Sequence, residues 1–178
     1  MHPIKHFITV TKHRNKVIAH CAKAGILWRG LMHDLSKYSP VEFWNGARYY
    51  TGDKSPNVGE RQSKGYSVAW LHHKGRNRHH FEYWTDYNAI DRRTVPVKMP
   101  LKCVAEMFCD RVAASKIYKG KEYKCSDPYD YFLAGRATRF IHPETDNFLE
   151  RLLKMLRDEG EGKTFSYLKN YLRNNKDY

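Results

Sequence analysis

No apolar run in this 178-residue chain approaches the roughly 20 residues that cross a bilayer. Membrane spanning is therefore excluded, and no membrane partner is expected. The four cysteines (Cys21, Cys103, Cys109 and Cys125) show no C-x-x-C spacing and follow no signal-peptide pattern, so reduced thiols and a cytoplasmic location are expected. Long period-two alternation, internal repeats and Pro/Gly-rich linkers are also missing, which argues against a sheet fold, a repeat array and a divided chain. Carboxylates have the most uneven distribution. Residues 1–33 hold six Lys or Arg side chains and no acid, and the first carboxylate in the chain is Asp34.

Basic groups are abundant instead: 32 Lys and Arg against 19 Asp and Glu give a net charge of +13, with ten histidines besides. An apolar fraction of 41% is ordinary for a globular chain and excludes a disordered one. The charge points to polyanionic partners, whether nucleotide phosphates or nucleic acid. An acid-poor start also suits an organelle transit peptide. Here, however, the segment carries histidines on a helical face and runs straight into the body of the domain.

Helical spacing dominates. Phe7, Val10, Val17, Cys21 and Ala24 predict a helix over 4–24 that Gly25 closes. A short helix over 26–37 is expected to turn Leu27, Leu31 and Leu35 inward. Ser39-Pro40-Val41-Glu42 reads as a cap, a first-turn proline and a capping-box glutamate, opening a helix that ends near Gly52. Further helices are expected over 60–73, 101–118, from Asp127, and over 143–158 and 164–173. The expectation is a single all-α domain over 1–178, with the chemistry in about 6–118 and C-terminal helices in 119–178. The apolar face of Phe148, Leu149, Leu152, Leu153 and Leu156 either covers the core or meets a second subunit; oligomeric state is left open.

Candidate chemistry gathers at four places. His6, His13 and His20 recur every seven residues and share one helix face. His33 and Asp34 offer an imidazole nitrogen and a carboxylate oxygen from adjacent positions, with Lys37 one turn on. His72, His73, His79 and His80 interleave with Lys74, Arg76 and Arg78, a composition that suits metal binding and a grip on anions. Asp110 lies among Met107, Ala113, Ala114 and Ile117, where a carboxylate is costly unless paired or bound to metal. Trp70, Phe81, Tyr83 and Trp84 are either core residues or stacking platforms for a base.

The order His … His-Asp … His/His … Asp across a helical chain resembles the HD-domain superfamily of metal-dependent phosphohydrolases. His33-Asp34-Leu35-Ser36-Lys37 is similar to its HD-x-G-K signature, with Ser36 in place of Gly. His13 resembles the first histidine, with His6 or His20 able to take its place, and Asp110 resembles the closing aspartate. The second histidine cluster resembles that of subgroups that hold two metals. The whole chain is also similar to a small bacterial and phage group of HD-like proteins with no assigned substrate. The resemblance implies an HD-like helical bundle. It also implies one or two divalent ions (Mn, Fe, Co, Ni, Zn or Mg) held by His13, His33, Asp34, Asp110 and members of His72, His73, His79 and His80. Such ions activate a water for attack on phosphorus. Asp34 and Lys37 would be catalytic, with Lys37, Lys74, Arg76 and Arg78 binding phosphate. The expected partner is a phosphate-bearing small molecule, a nucleotide first among them. The competing readings are an HD-like diiron oxygenase and a non-enzymatic nucleic-acid-binding or phage partner protein.

Overall fold

The computed structural model describes residues 1–178. Eight α-helices follow one another: α1 (Pro3–Lys23), α2 (Leu27–Met32), α3 (Pro40–Arg48), α4 (Pro56–Lys64), α5 (Val68–Lys74), α6 (Leu101–Lys119), α7 (Asp127–Ala134) and α8 (Pro143–Asn174). A two-stranded sheet, β1 (Thr85–Asn88) and β2 (Arg93–Pro96), lies between α5 and α6. The all-α expectation holds for everything but this hairpin. No helix is long and apolar enough to cross a membrane.

Helix α6 runs through the centre, with residues on nearly every side of it buried. Val17 and Cys21 of α1 pack against it, together with Phe132 of α7 and Leu149, Leu152, Leu153, Leu156 and Leu168 of α8, all fully buried. Burying a leucine contributes roughly 1.5–3 kcal/mol, so the α8 face belongs to this core. That settles the choice left open above: the face covers the core. Gly160, at φ 77°, interrupts α8 where two separate helices were expected.

Three expectations need correction. The helix expected over 26–37 breaks: α2 stops at Met32, His33 is extended (φ −57°, ψ 129°), and Asp34 adopts a left-handed backbone (φ 53°) before a 3₁₀ turn over Leu35–Tyr38. Leu27, Leu31 and Leu35 are exposed rather than inward. The inward residue is Gly30; a Cβ there would stand 2.7 Å from the Cys21 Cβ and 3.0 Å from the Ile18 Cα, so its absence lets α2 lie directly on α1. Phe7 is likewise half exposed, with its ring edge on Tyr38. The helix expected over 60–73 is two helices, α4 and α5, divided at Gly65.

The unanticipated hairpin pairs Thr85 with Pro96 and Asn88 with Arg93. Four-residue strands are too short to reveal alternation. The available signal was turn chemistry: the Asn88 Oδ1 accepts from the backbone N–H groups of Ile90 and Asp91.

Candidate metal centre

Four segments converge on α6. Helix α1 brings His13, the break after α2 brings His33 and Asp34, α5 brings His73, the following loop brings His79 and His80, and α6 brings Asp110. The left-handed turn at Asp34 lets adjacent residues face one centre, where a continuous helix would splay them about 100° apart.

The ligand-type atoms form three groups; two adjoin at the centre, and the third sets Glu106 against the far sides of the His33 and His79 rings. In the first, the His13 Nε2 lies 2.9 Å and the His33 Nε2 3.6 Å from the Asp110 Oδ1. In the second, the Asp34 Oδ1 lies 3.3 Å from the His73 Nε2 and 3.5 Å from the His79 Nε2. His80 joins it, its Nε2 2.8 Å from that of His73. Asp34 touches both groups, because its other oxygen lies 3.3 Å from the His33 Nε2. Lys37 binds that same oxygen at 2.8 Å and keeps about 32% of its side chain exposed.

Two glutamates that sequence reasoning missed set the ring orientations. The Glu106 Oε1 accepts from the Nδ1 atoms of His33 (2.9 Å) and His79 (3.3 Å), while its Oε2 accepts from the Arg29 Nε at 2.8 Å. Glu42 accepts from the Nδ1 atoms of His72 and His73 at 2.6 and 2.7 Å. An ionised carboxylate only accepts, so each ring carries a proton on Nδ1; this leaves the Nε2 atoms of His33, His73 and His79 facing the centre. Glu106 had a signal: it stands four residues before Asp110, on the same helix face. Glu42 had none, because its capping-box position supplied a sufficient reason for a glutamate.

Four of the eight buried side-chain atoms without a hydrogen-bond partner lie here: the Nε2 atoms of His13, His33 and His79, and the Asp34 Oδ1. Leaving a buried polar group unmade costs about 1–3 kcal/mol each. Their concentration at one point, all of metal-ligand type, fits a divalent cation. Charge agrees. Burial works to raise the Asp34 and Asp110 carboxyls, but the surrounding histidines, with Lys37 at Asp34, hold both well below the ordinary range. Glu106 is pulled down to about 2 against its burial by the His33 and His79 hydrogen bonds. Burial disfavours a charged His33, yet Asp34, Asp110 and Glu106 overcome it and raise its affinity for a proton.

The chain belongs to a family of unknown function, DUF5662. Its family model matches residues 2–155. The matched span includes every residue of the two groups and both orienting glutamates, and it stops within α8. No curated protein and no solved structure matches the chain. Membership in this family brings no activity with it, so a functional reading has to rest on the residues.

Not every candidate joins the centre. His72 is half-buried against Glu42 and stands outside both groups. Arg76 turns back onto the His72 carbonyl, and Arg78 lies over Trp84 and Tyr83. Those guanidiniums are committed within their own segment. The local cation is Lys37. Trp70 packs its ring against His73 and His80, while Phe81 and Trp84 pack on the core.

Of the three α1 histidines, only His13 reaches the centre. His6 packs against Gly46, Phe43 and Tyr50. His20 stacks on Phe165 and donates to the Cys109 carbonyl at 3.3 Å. Burial lowers the pKa of both to about 4. Unfolded histidine titrates near pH 6.5, so between that value and about 4 the unfolded chain binds protons that the folded chain does not. Stability therefore declines as pH falls through this window and levels off below it. His20→Gln should flatten the decline by about 1–3 kcal/mol, measured by urea unfolding at pH 7, 5.5 and 4.5.

Proposed function

We propose that this chain is a metal-dependent phosphohydrolase of HD-domain type, acting on a small phosphate ester, with a nucleotide the leading substrate. The observation that carries the reading is the pair of buried His/Asp groups joined through Asp34, with four ligand-type atoms lacking any other partner. His13, His33, Asp34 and Asp110 would hold one divalent ion, and Asp34, His73, His79 and His80 a second. This donor set of imidazole and carboxylate suits Mn, Fe, Co, Ni or Zn. When bound, such ions lower the pKa of a coordinated water towards neutrality and draw charge from a phosphoryl oxygen.

The chain's own groups supply the rest. Glu106 and Glu42 keep the ring protons on Nδ1 and so hold the Nε2 atoms towards the centre. Asp34 keeps the two groups in register. Lys37, anchored on Asp34 and open to solvent, meets the charge that builds on the phosphoryl oxygens. The resemblance of His33-Asp34 … Lys37 and Asp110 to the HD pattern supports the same assignment.

The histidine-rich second group also favours the diiron oxygenase reading; the cationic surface and Lys37 weigh towards phosphate. Metal analysis of the purified protein, followed by hydrolysis of p-nitrophenyl phosphate, its bis-ester and nucleotides with each metal, tests the proposal. One or two bound ions and metal-dependent hydrolysis are expected, both lost in a His33→Ala/Asp34→Ala variant. Undiminished metal and activity in that variant would overturn it, and an oxygen-responsive visible band without hydrolysis would install the oxygenase.

A further inference from the structure

Residues 1–52 hold eight Lys and Arg side chains and only two carboxylates, Asp34 and Glu42, both buried in the metal centre at 2% and 5% exposure. The accessible surface of this segment is therefore free of negative side chains until Asp53. The same segment exposes large apolar side chains at unusual density: 11 of the 21 in the whole chain. Trp28 is 73% exposed and Ile4 76%, although both residue types are ordinarily well buried.

These features share one side of the molecule. A step of about 100° per residue places Lys5, Lys12, Lys16 and Lys23 of α1 in one exposed row about 40° wide, about 80° around the helix from the buried histidine row. Ile4 and Ile8 lie beside that row on the flank towards α2. Their position follows from three contacts: Gly30 lies on Ile18, Arg14 donates to the Leu31 carbonyl, and Phe7 touches Tyr38. Helix α2, pressed onto α1 through Gly30 and holding Glu106 through Arg29, turns its apolar side chains Leu27, Trp28, Leu31 and Met32 outward. An aliphatic and tryptophan strip is thus bordered by a row of lysines.

We propose that the α1–α2 face binds peripherally to an anionic lipid bilayer, with Ile4, Ile8, Leu27, Trp28, Leu31 and Met32 entering the interface and the α1 lysines meeting the headgroups. No helix is long and apolar enough to cross a bilayer, but lying on one requires no such helix. Charge decides between occupants. A second copy would set like against like, since Lys5, Lys12 and Lys16 face no carboxylate and the one acid near the row, Glu161, is paired with Lys23 and Lys116 at its far end. Nucleic acid would use the lysines, yet aliphatic tips such as Ile4, Ile8 and Leu31 give it nothing to pair or stack with. Side chains that project from helix faces suit a deformable partner, and tryptophan beside lysine is the composition of a membrane interface.

The test is flotation of the intact protein with phosphatidylglycerol/phosphatidylcholine vesicles and with phosphatidylcholine vesicles alone. Binding to the anionic vesicles, a blue shift of tryptophan emission, and weakening by salt are expected. Trp28→Ser/Leu31→Ser and Lys5→Glu/Lys12→Glu/Lys16→Glu should each lower binding by about tenfold or more. Both sets of substitutions are on exposed positions, and circular dichroism checks the fold. Asp34→Asn should bind vesicles as the wild type does, which separates this inference from the proposed phosphohydrolase. Failure to float, or floating that the Trp28/Leu31 variant leaves unchanged, would overturn the proposal. So would preferential binding of a single-stranded oligonucleotide through the same residues, or a concentration-dependent dimer that these substitutions dissolve.

Discussion

Asp34→Asn is expected to cost both ligand groups their metal at once and to reduce hydrolysis by more than about 100-fold. Second-sphere changes at metal sites typically cost about 10–100-fold in affinity or activity, and Asp34 belongs to the ligand set itself. It is also the residue shared by the two groups: one oxygen faces His73 and His79, the other faces His33 and Lys37. Asparagine tolerates the left-handed backbone that Asp34 adopts, so the turn that aims His33 survives the change. Thermal unfolding of the metal-free proteins checks that point. His13→Gln is the informative partner experiment. It removes one nitrogen of the first group and leaves Asp34, His73, His79 and His80 intact. Metal titration should then show one ion retained, whereas Asp34→Asn retains none. Two variants with the same stoichiometry as the wild type would overturn the two-group reading.

Much of this arrangement can be read from local chemistry, because some signals act over a few residues. Pro40, Pro100, Pro128 and Pro143 each stand at or beside a helix start, and caps and proline act within one turn. The His33-Asp34 pair stood out as two ligand-type side chains at adjacent positions, and Asp110 as a carboxylate among apolar residues where burial would be costly. What stayed hidden depends on contacts across the fold. The reversal of α2, which exposes Leu27 and Leu31, follows from a glycine that fits against α1, and periodicity carries no trace of a missing side chain. Composition likewise placed Arg76 and Arg78 among the histidines but not their direction; each guanidinium is captured within its own segment. His13 could be told from His6 and His20 only once α6 was in place opposite it.

Glu106→Gln should weaken metal affinity by about 10–100-fold, and the reason is a conflict of hydrogen bonds. The carboxylate serves three donors: the Nδ1 atoms of His33 and His79 on one oxygen, and the Arg29 Nε on the other. An amide has one oxygen. If it faces the histidines, its NH₂ opposes Arg29; if it faces Arg29, its NH₂ opposes two ring N–H groups and drives their protons to Nε2, the atoms that would bind metal. Arg29→Met in the same chain removes the competing donor and lets the amide oxygen serve both rings. The double variant should therefore recover most of the affinity lost by Glu106→Gln, measured by competition with a chelator of known affinity. Recovery identifies Glu106 as the group that holds the ring protons in place. No recovery, with both variants folded, shows that its negative charge is what the centre requires, since that charge is the one property the double variant does not restore.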